Sequence, residues 1–133
     1  MQYSSQTLKY RPLWLAVGWL LVALVVYLSL TPRPLELQFS NSDKYSHLLA
    51  YFVLMGWFQQ LYPAWRSRLL LLGIFVAMGV GIEYLQGLSG VRFFDLADMA
   101  ANAIGATLAW LLGWTGFSSL LLHLEQRMSL KWH

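Results

Sequence analysis

The feature that most constrains the fold is the apolar run at residues 13–30, "LWLAVGWLLVALVVYLSL", whose 18 residues include no charge. A helix rises about 1.5 Å per residue, so a run of this length crosses most of the roughly 30 Å hydrocarbon layer of a bilayer. A second such run, "LLLLGIFVAMGVG", occupies residues 69–81. The chain has 133 residues, of which 58% are hydrophobic and 11% charged. The core of a water-soluble protein of this size could not bury both apolar runs. We therefore expect a membrane protein.

The first run has some features of a secretory signal, because Lys9 and Arg11 precede it. It is longer than the usual apolar segment of a signal peptide, and Pro32 follows it almost directly. We expect this segment to remain as a membrane helix.

Hydropathy over the whole chain predicts an all-α polytopic membrane protein of four transmembrane helices that forms one domain, residues 1–133. The expected spans are approximately 13–30, 46–62, 69–88 and 96–114. Short loops join the last three spans, so neighbouring spans should pack antiparallel. Gly113 and Gly116 should separate the fourth span from a possible C-terminal helix that lies along the membrane surface.

The distribution of basic residues predicts the orientation. Six lie on the side of both termini and three on the opposite side: Lys9, Arg11, Arg66, Arg68, Arg127 and Lys131, against Arg33, Lys44 and Arg92. Because cytoplasmic loops carry the excess of Lys and Arg, we expect both termini in the cytoplasm. Gln59 and Gln60 would then lie at the cytoplasmic interface.

The composition excludes several kinds of site. The chain has no cysteine, so it has neither disulfides nor thiolate metal ligands. Its basic residues are scattered and form no stripe, so nucleic acid is not an expected partner. The sequence predicts no cofactor.

Polar residues that a lipid-facing helix would avoid are concentrated at the outer ends of spans two, three and four. They are Asp43, Lys44, His47, Tyr51, Glu83, Gln86, Arg92, Asp95, Asp98 and Asn102. Because ionisable groups within a span are costly against lipid, they should face the interior of the bundle and mark a binding site.

Helical spacing supports this convergence. Asp43, His47 and Tyr51 recur every four residues and share one helix face. Asp95, Asp98 and Asn102 recur at three and four residues, and Gly105 continues that stripe.

Small residues predict where the helices approach closely. Gly73, Ala77 and Gly81 repeat every four residues in span three, where Gly79 also precedes Glu83 by one turn, and Ala101 and Gly105 do so in span four. Such spacing is typical of tightly packed membrane helices.

Two segments carry a family resemblance. "SDKYSHLLAYFVL" (42–54) and "IEYLQGLSGVRFFDLADMAANAIGA" (82–106) resemble the VanZ-like family of small bacterial membrane proteins. The family's Asp-Lys-x-x-His-x-x-x-Tyr block matches Asp43, Lys44, His47 and Tyr51. Its second block matches Glu83, Gln86, Arg92, Asp95, Asp98, Asn102 and Gly105. The resemblance covers residues 13–115.

The resemblance implies a cell-envelope protein of the bacterial cytoplasmic (inner) membrane and leaves its chemistry open. The family is named for a protein linked to low-level resistance to the glycopeptide antibiotic teicoplanin, so a part in antibiotic resistance is an expectation by resemblance alone.

Three functional hypotheses follow from the sequence. The first is a binding protein, surrounded by membrane lipids, that recognises an envelope lipid, a cell-wall precursor or a partner protein. The second is an enzyme acting on a lipid-linked or phosphate-bearing substrate, in which His47, Glu83 and Asp98 would be the catalytic candidates. The third is a structural network of interhelical polar contacts, since the acids and bases nearly balance.

A metal site is a weaker hypothesis. Only His47 supplies an imidazole at this end of the bundle, and no His-Glu-x-x-His motif is present. From the sequence, an oxygen-rich Mg²⁺ or Ca²⁺ site would be the more plausible form.

Overall fold

The structure is a computed structural model that describes residues 7–31, 42–90 and 95–130, with residues 42 and 43 described by their backbone only. It contains α1 (Arg11–Leu30), α2 (Ser42–Leu61), α3 (Trp65–Leu88), α4 (Leu96–Leu112), a short 3₁₀ turn (Gly116–Ser119) and α5 (Leu120–Leu130). No strand occurs in these segments. The all-α prediction is confirmed.

Local sequence explains where the helices begin and end. Pro12 lies in the first turn of α1, where its missing N–H costs nothing. Asp95 caps α4, because its side chain accepts a 2.8 Å hydrogen bond from the Ala97 amide. The expected spans agree with the helices to within two residues, except that α2 and α3 each start four residues earlier, at Ser42 rather than 46 and at Trp65 rather than 69.

Two helices, α1 and α3, are long and apolar enough to cross a membrane on their own. A third span results if α4 and the segment Gly116–Leu130 are taken together, although they are bent by 83°. Among the described helices, α2 falls short because it carries His47, Gln59 and Gln60 besides its charged first turn. These polar residues fit its position, since α2 packs against α1, α3 and α4, and Gln59 is fully buried there.

The core forms around α2. Tyr51, Leu54, Met55 and Phe58 are almost fully buried, and they pack with Phe75 and other apolar residues of the neighbouring helices. The packing is closest between α2 and α4, where a Cβ added at Gly105 would collide with the carbonyl oxygen of Leu48. Glycine is therefore required at 105 for α4 to approach α2.

The small-residue prediction is right for α4 and, in α3, right for Gly79 but wrong for the other three residues. Gly73, Ala77 and Gly81 are exposed, and a Cβ at either glycine would meet nothing within 4 Å. The inward face of α3 includes Gly79 instead, whose added Cβ would lie 3.0 Å from the Cβ of Asn102. The large buried side chain of Phe75 belongs to this same face and sets the rotation of the helix.

The end of α4 is held by two polar side chains that the sequence assigned to the membrane interface and to a loop. The buried Gln59 donates a 2.8 Å hydrogen bond to the Ala109 carbonyl. Arg68 lies within α3, is 7% exposed and donates to the Trp110 carbonyl at 3.1 Å. The interfacial expectation for Gln59 is wrong, because helix ends inside a bundle need partners for their last carbonyls.

Glu125 connects the two ends of the chain. Its carboxylate accepts hydrogen bonds from the Lys9 amide at 2.8 Å, the Tyr10 amide at 2.9 Å and the Trp14 indole at 2.6 Å. These amides precede α1, whose N-cap residue Tyr10 makes no side-chain cap of its own. Thus α5 supplies the N-terminal cap of α1.

Candidate functional site

Antiparallel packing brings the start of α2, the end of α3 and the start of α4 to the same end of the bundle. Five polar side chains are concentrated there, and together we call them the five-residue site: His47, Tyr51, Glu83, Asp98 and Asn102. All are buried except His47, whose side chain is 10% exposed. All five are among the site residues predicted from the sequence, four of them from helical spacing and Glu83 from the cost of facing lipid.

His47 is held between two residues of α4. Its Nδ1 atom lies 2.9 Å from Oδ1 of Asn102, and its Nε2 atom lies 3.7 Å from Oδ2 of Asp98. An amide oxygen can only accept a hydrogen bond, so the proton of a neutral His47 is on Nδ1. The lone pair of Nε2 then points towards the carboxylates.

Glu83 reaches the same point from α3 and is completely buried. Its Oε2 atom accepts a hydrogen bond of 3.2 Å from the Asp95 amide at the beginning of α4. One ligand atom each from His47, Glu83 and Asp98 can be chosen so that all three lie within 4.8 Å of one another. Two acidic groups and an imidazole therefore share one small volume.

Three polar atoms of the site have no hydrogen-bond partner among the described residues. They are the Tyr51 hydroxyl, Oε1 of Glu83 and Nδ2 of Asn102. Their side chains are each at most 1% exposed. Buried polar groups are nearly always hydrogen-bonded, and leaving one unsatisfied costs about 1–3 kcal/mol. The site therefore has unused hydrogen-bonding capacity.

Three other predicted residues, Lys44, Gln86 and Asp95, have structural contacts near the site. Asp95 caps α4 and pairs with Lys44, whose Nζ lies 3.7 Å from its carboxylate at the partly exposed rim. Gln86 points to α1 and donates a 2.5 Å hydrogen bond to the Ser29 carbonyl. It is buried and joins α3 to α1, outside the five-residue site.

The remaining two predicted residues are not placed. The Asp43 side chain and all of Arg92 lie outside the described residues.

The described surroundings of the site are acidic. Glu83, Asp95 and Asp98 face one lysine, Lys44, which pairs with Asp95. Glu83 and Asp98 both lie close to His47, which carries a positive charge only when it is protonated. Two carboxylates at this depth require a proton, a cation or a charged ligand for balance.

Sequence reasoning missed a second buried polar group at the opposite end of α2. Gln59 follows Tyr51 by eight residues, and thus continues the stripe of His47 and Tyr51 along one face. Extending this spacing through Met55 would have predicted that Gln59 is buried.

No family model matches the chain, and no solved structure matches it. The chain is similar to an uncharacterized protein of Schizosaccharomyces pombe (strain 972), with 33% identity over 103 residues. The match covers 74% of this chain and 60% of that protein, so the chain spans about three fifths of the relative's length.

Proposed function

We propose that this chain is a VanZ-like membrane protein whose five-residue site recognises the polar part of an envelope lipid or of a lipid-linked cell-wall precursor. The observation that carries the proposal is the set of buried, unpaired polar atoms on Tyr51, Glu83 and Asn102. A purely structural network would use its hydrogen-bonding groups internally, whereas these atoms are available to a ligand.

The proposal includes a topology. Four helices cross a bacterial cytoplasmic membrane, with α2 enclosed by α1, α3 and α4, and both termini lie in the cytoplasm. α5 turns away from α4 and lies along the cytoplasmic surface. The five-residue site then opens towards the outer leaflet, where envelope lipids and cell-wall precursors are exposed. A reporter enzyme fused to the C-terminus should be active only in the cytoplasm, and external activity would refute this orientation.

Ligand capture tests the function. Purified protein in detergent is mixed with a lipid extract of the cell envelope, re-isolated and analysed by mass spectrometry for retained lipid. We expect one lipid class to be enriched and to be lost with Glu83→Gln, which is nearly isosteric and keeps an oxygen for the Asp95 amide. His123→Ala is the matched control because His123 is exposed on α5, and equal lipid profiles for all three proteins would refute the proposal.

A second candidate function is catalysis on the same class of substrate. It is favoured by the tautomer of His47, because an unprotonated Nε2 facing Asp98 can accept a proton from a substrate or a water molecule. In the same mixture, an enzyme would convert the lipid over many turnovers, and this conversion would disappear in His47→Ala. Capture of about one lipid per chain without a product would favour recognition alone.

A role in teicoplanin susceptibility follows only from the family resemblance. It is tested by comparing susceptibility of cells that carry the wild-type chain or Asp98→Asn at equal membrane abundance.

A further inference from the structure

We propose that His47, Glu83 and Asp98 form a binding site for one divalent first-row transition-metal ion such as Zn²⁺. The geometry is the first argument. Each residue offers one ligand atom, and the three atoms lie within 4.8 Å of one another. Ligands about 2.1 Å from a tetrahedral zinc ion are roughly 3.4 Å apart, close to the 3.7 Å between Nε2 of His47 and Oδ2 of Asp98. Small side-chain rotations would bring the three ligand atoms, which now lie within 4.8 Å of one another, to the spacing that zinc requires.

The protonation state of His47 is the second argument. A histidine that binds a metal donates its other ring N–H to an oxygen, which fixes the tautomer and the ring orientation. The Nδ1 atom of His47 has this bond to Asn102 Oδ1 at 2.9 Å. The lone pair of Nε2 is thereby directed towards the carboxylates. A cation bound between Nε2 and the carboxylates would accept this lone pair.

The unpaired oxygen of Glu83 is an independent third argument. Glu83 is fully buried, its Oε2 is occupied by the Asp95 amide, and its Oε1 has no partner among the described residues. A metal ion coordinated by Oε1 would give this buried oxygen the partner that it lacks.

Charge balance is consistent with a divalent ion. Two carboxylates and a neutral imidazole carry two negative charges, which a divalent ion cancels within the apolar bundle.

The mixed nitrogen and oxygen ligands indicate the class of metal. Mg²⁺ and Ca²⁺ prefer six or more oxygen ligands, whereas imidazole with carboxylates suits Zn²⁺ and its neighbours. Three protein ligands leave at least one coordination position open. If the proposed function is correct, that position is available to an oxygen of the lipid head group, although metal binding itself does not depend on that function.

The test uses the full-length chain purified in detergent and stripped with a chelator. Zn²⁺ is titrated in competition with a chromophoric chelator, and Co²⁺ is added separately to record its d–d absorption. We expect one site per chain, with affinity reduced at least about tenfold in His47→Ala and Glu83→Gln and unchanged in His123→Ala. Each variant is first checked for monodispersity and helix content.

X-ray absorption of the zinc-loaded wild type provides a measurement that does not depend on variants. One nitrogen and two or more oxygen ligands at about 2.0–2.2 Å would support the site. Failure of the wild type to bind Zn²⁺ or Co²⁺, or equal affinity in wild type and His47→Ala, would overturn it. Lipid capture repeated with excess chelator separates the two proposals, because lipid retained without metal would leave the proposed function intact.

Discussion

Nδ1 of His47 and Oδ1 of Asn102 form a 2.9 Å hydrogen bond between α2 and α4, and this contact determines which nitrogen of His47 faces the acidic residues. Gly79 lies against the Asn102 side chain from α3, so the amide has little freedom to turn. The orientation of His47 is therefore set by the packing of three helices.

Replacing Asn102 by alanine should loosen the His47 ring without removing a proposed metal ligand. We expect zinc affinity to fall about 10- to 100-fold, as is usual when a partner that orients a ligand is lost. The control is Thr107→Val on the same helix, which removes only a local hydrogen bond to the Ala103 carbonyl. Chelator competition measures both variants, and equal affinities would contradict an orienting role for Asn102.

Gly105→Ala should destabilise the bundle. The added methyl group would collide with the Leu48 carbonyl, a backbone atom that cannot move unless α2 and α4 separate. We expect a loss of about 1–3 kcal/mol in the free energy of unfolding, the usual range for overpacking. The matched control is Gly81→Ala, where nothing lies within 4 Å and alanine should be neutral or stabilising.

Thermal unfolding in the same detergent compares the two glycine variants. If Gly105→Ala and Gly81→Ala unfold at the same midpoint temperature, α2 and α4 are not in such close contact at Gly105. Because Leu48 is adjacent to His47, zinc affinity should decline in Gly105→Ala as well.

Helical spacing predicted most of the candidate site. Residues four apart on a helix lie on one face, so His47 and Tyr51 had to share a face, as did Asp98 and Asn102. The antiparallel order of the helices then brought these faces to one end of the bundle.

Spacing failed where the rotation of a helix depends on its neighbours. Gln86 follows Glu83 by three residues, yet it bonds to Ser29 on α1 while Glu83 bonds to the start of α4. Three residues correspond to a rotation of about 60° around the helix, which is enough to direct the two side chains at different partners. The same kind of error placed Gly73 and Gly81 at a helix contact.

The contacts of Glu125 could not be predicted from the sequence for a different reason. They connect residues more than one hundred positions apart, and no periodic pattern encodes such a contact. Only the bend between α4 and α5 brings the carboxylate to the beginning of α1.

Glu125 should make the stability of the protein depend on pH. Burial alone would raise the pKa of its carboxyl group, but the hydrogen bonds from Tyr10, Trp14 and Lys9, with the charge of Lys9, outweigh burial and lower the pKa. A carboxyl group with a lowered pKa stabilises the folded state above its unfolded value of about 4.3, and this stabilisation is lost as the pH falls through the folded pKa.

The measurement is thermal unfolding of wild type and Glu125→Gln from about pH 7 down to about pH 3, a range that includes the unfolded pKa of Glu. The wild type should be more stable at neutral pH, and its advantage should decrease below about pH 4.3. A difference between the two proteins that is constant over the whole range would show that the charge of Glu125 does not contribute.

Gly113→Ala should weaken the cap at the end of α4. Gly113 has an ordinary helical φ of −63°, so alanine introduces no backbone strain and any effect comes from packing. Its added methyl group would collide with the Arg68 guanidinium and lie 2.5 Å from Oε1 of Gln59. Both side chains are buried and donate to carbonyls in the last turn of α4, so displacing either one leaves a buried donor without its partner. We expect a loss of about 1–3 kcal/mol in the free energy of unfolding, measured by thermal unfolding.

Gly116→Ala is the control for Gly113→Ala, since nothing lies within 4 Å of that position. A loss of stability as large in Gly116→Ala would mean that the cap of α4 is not the cause.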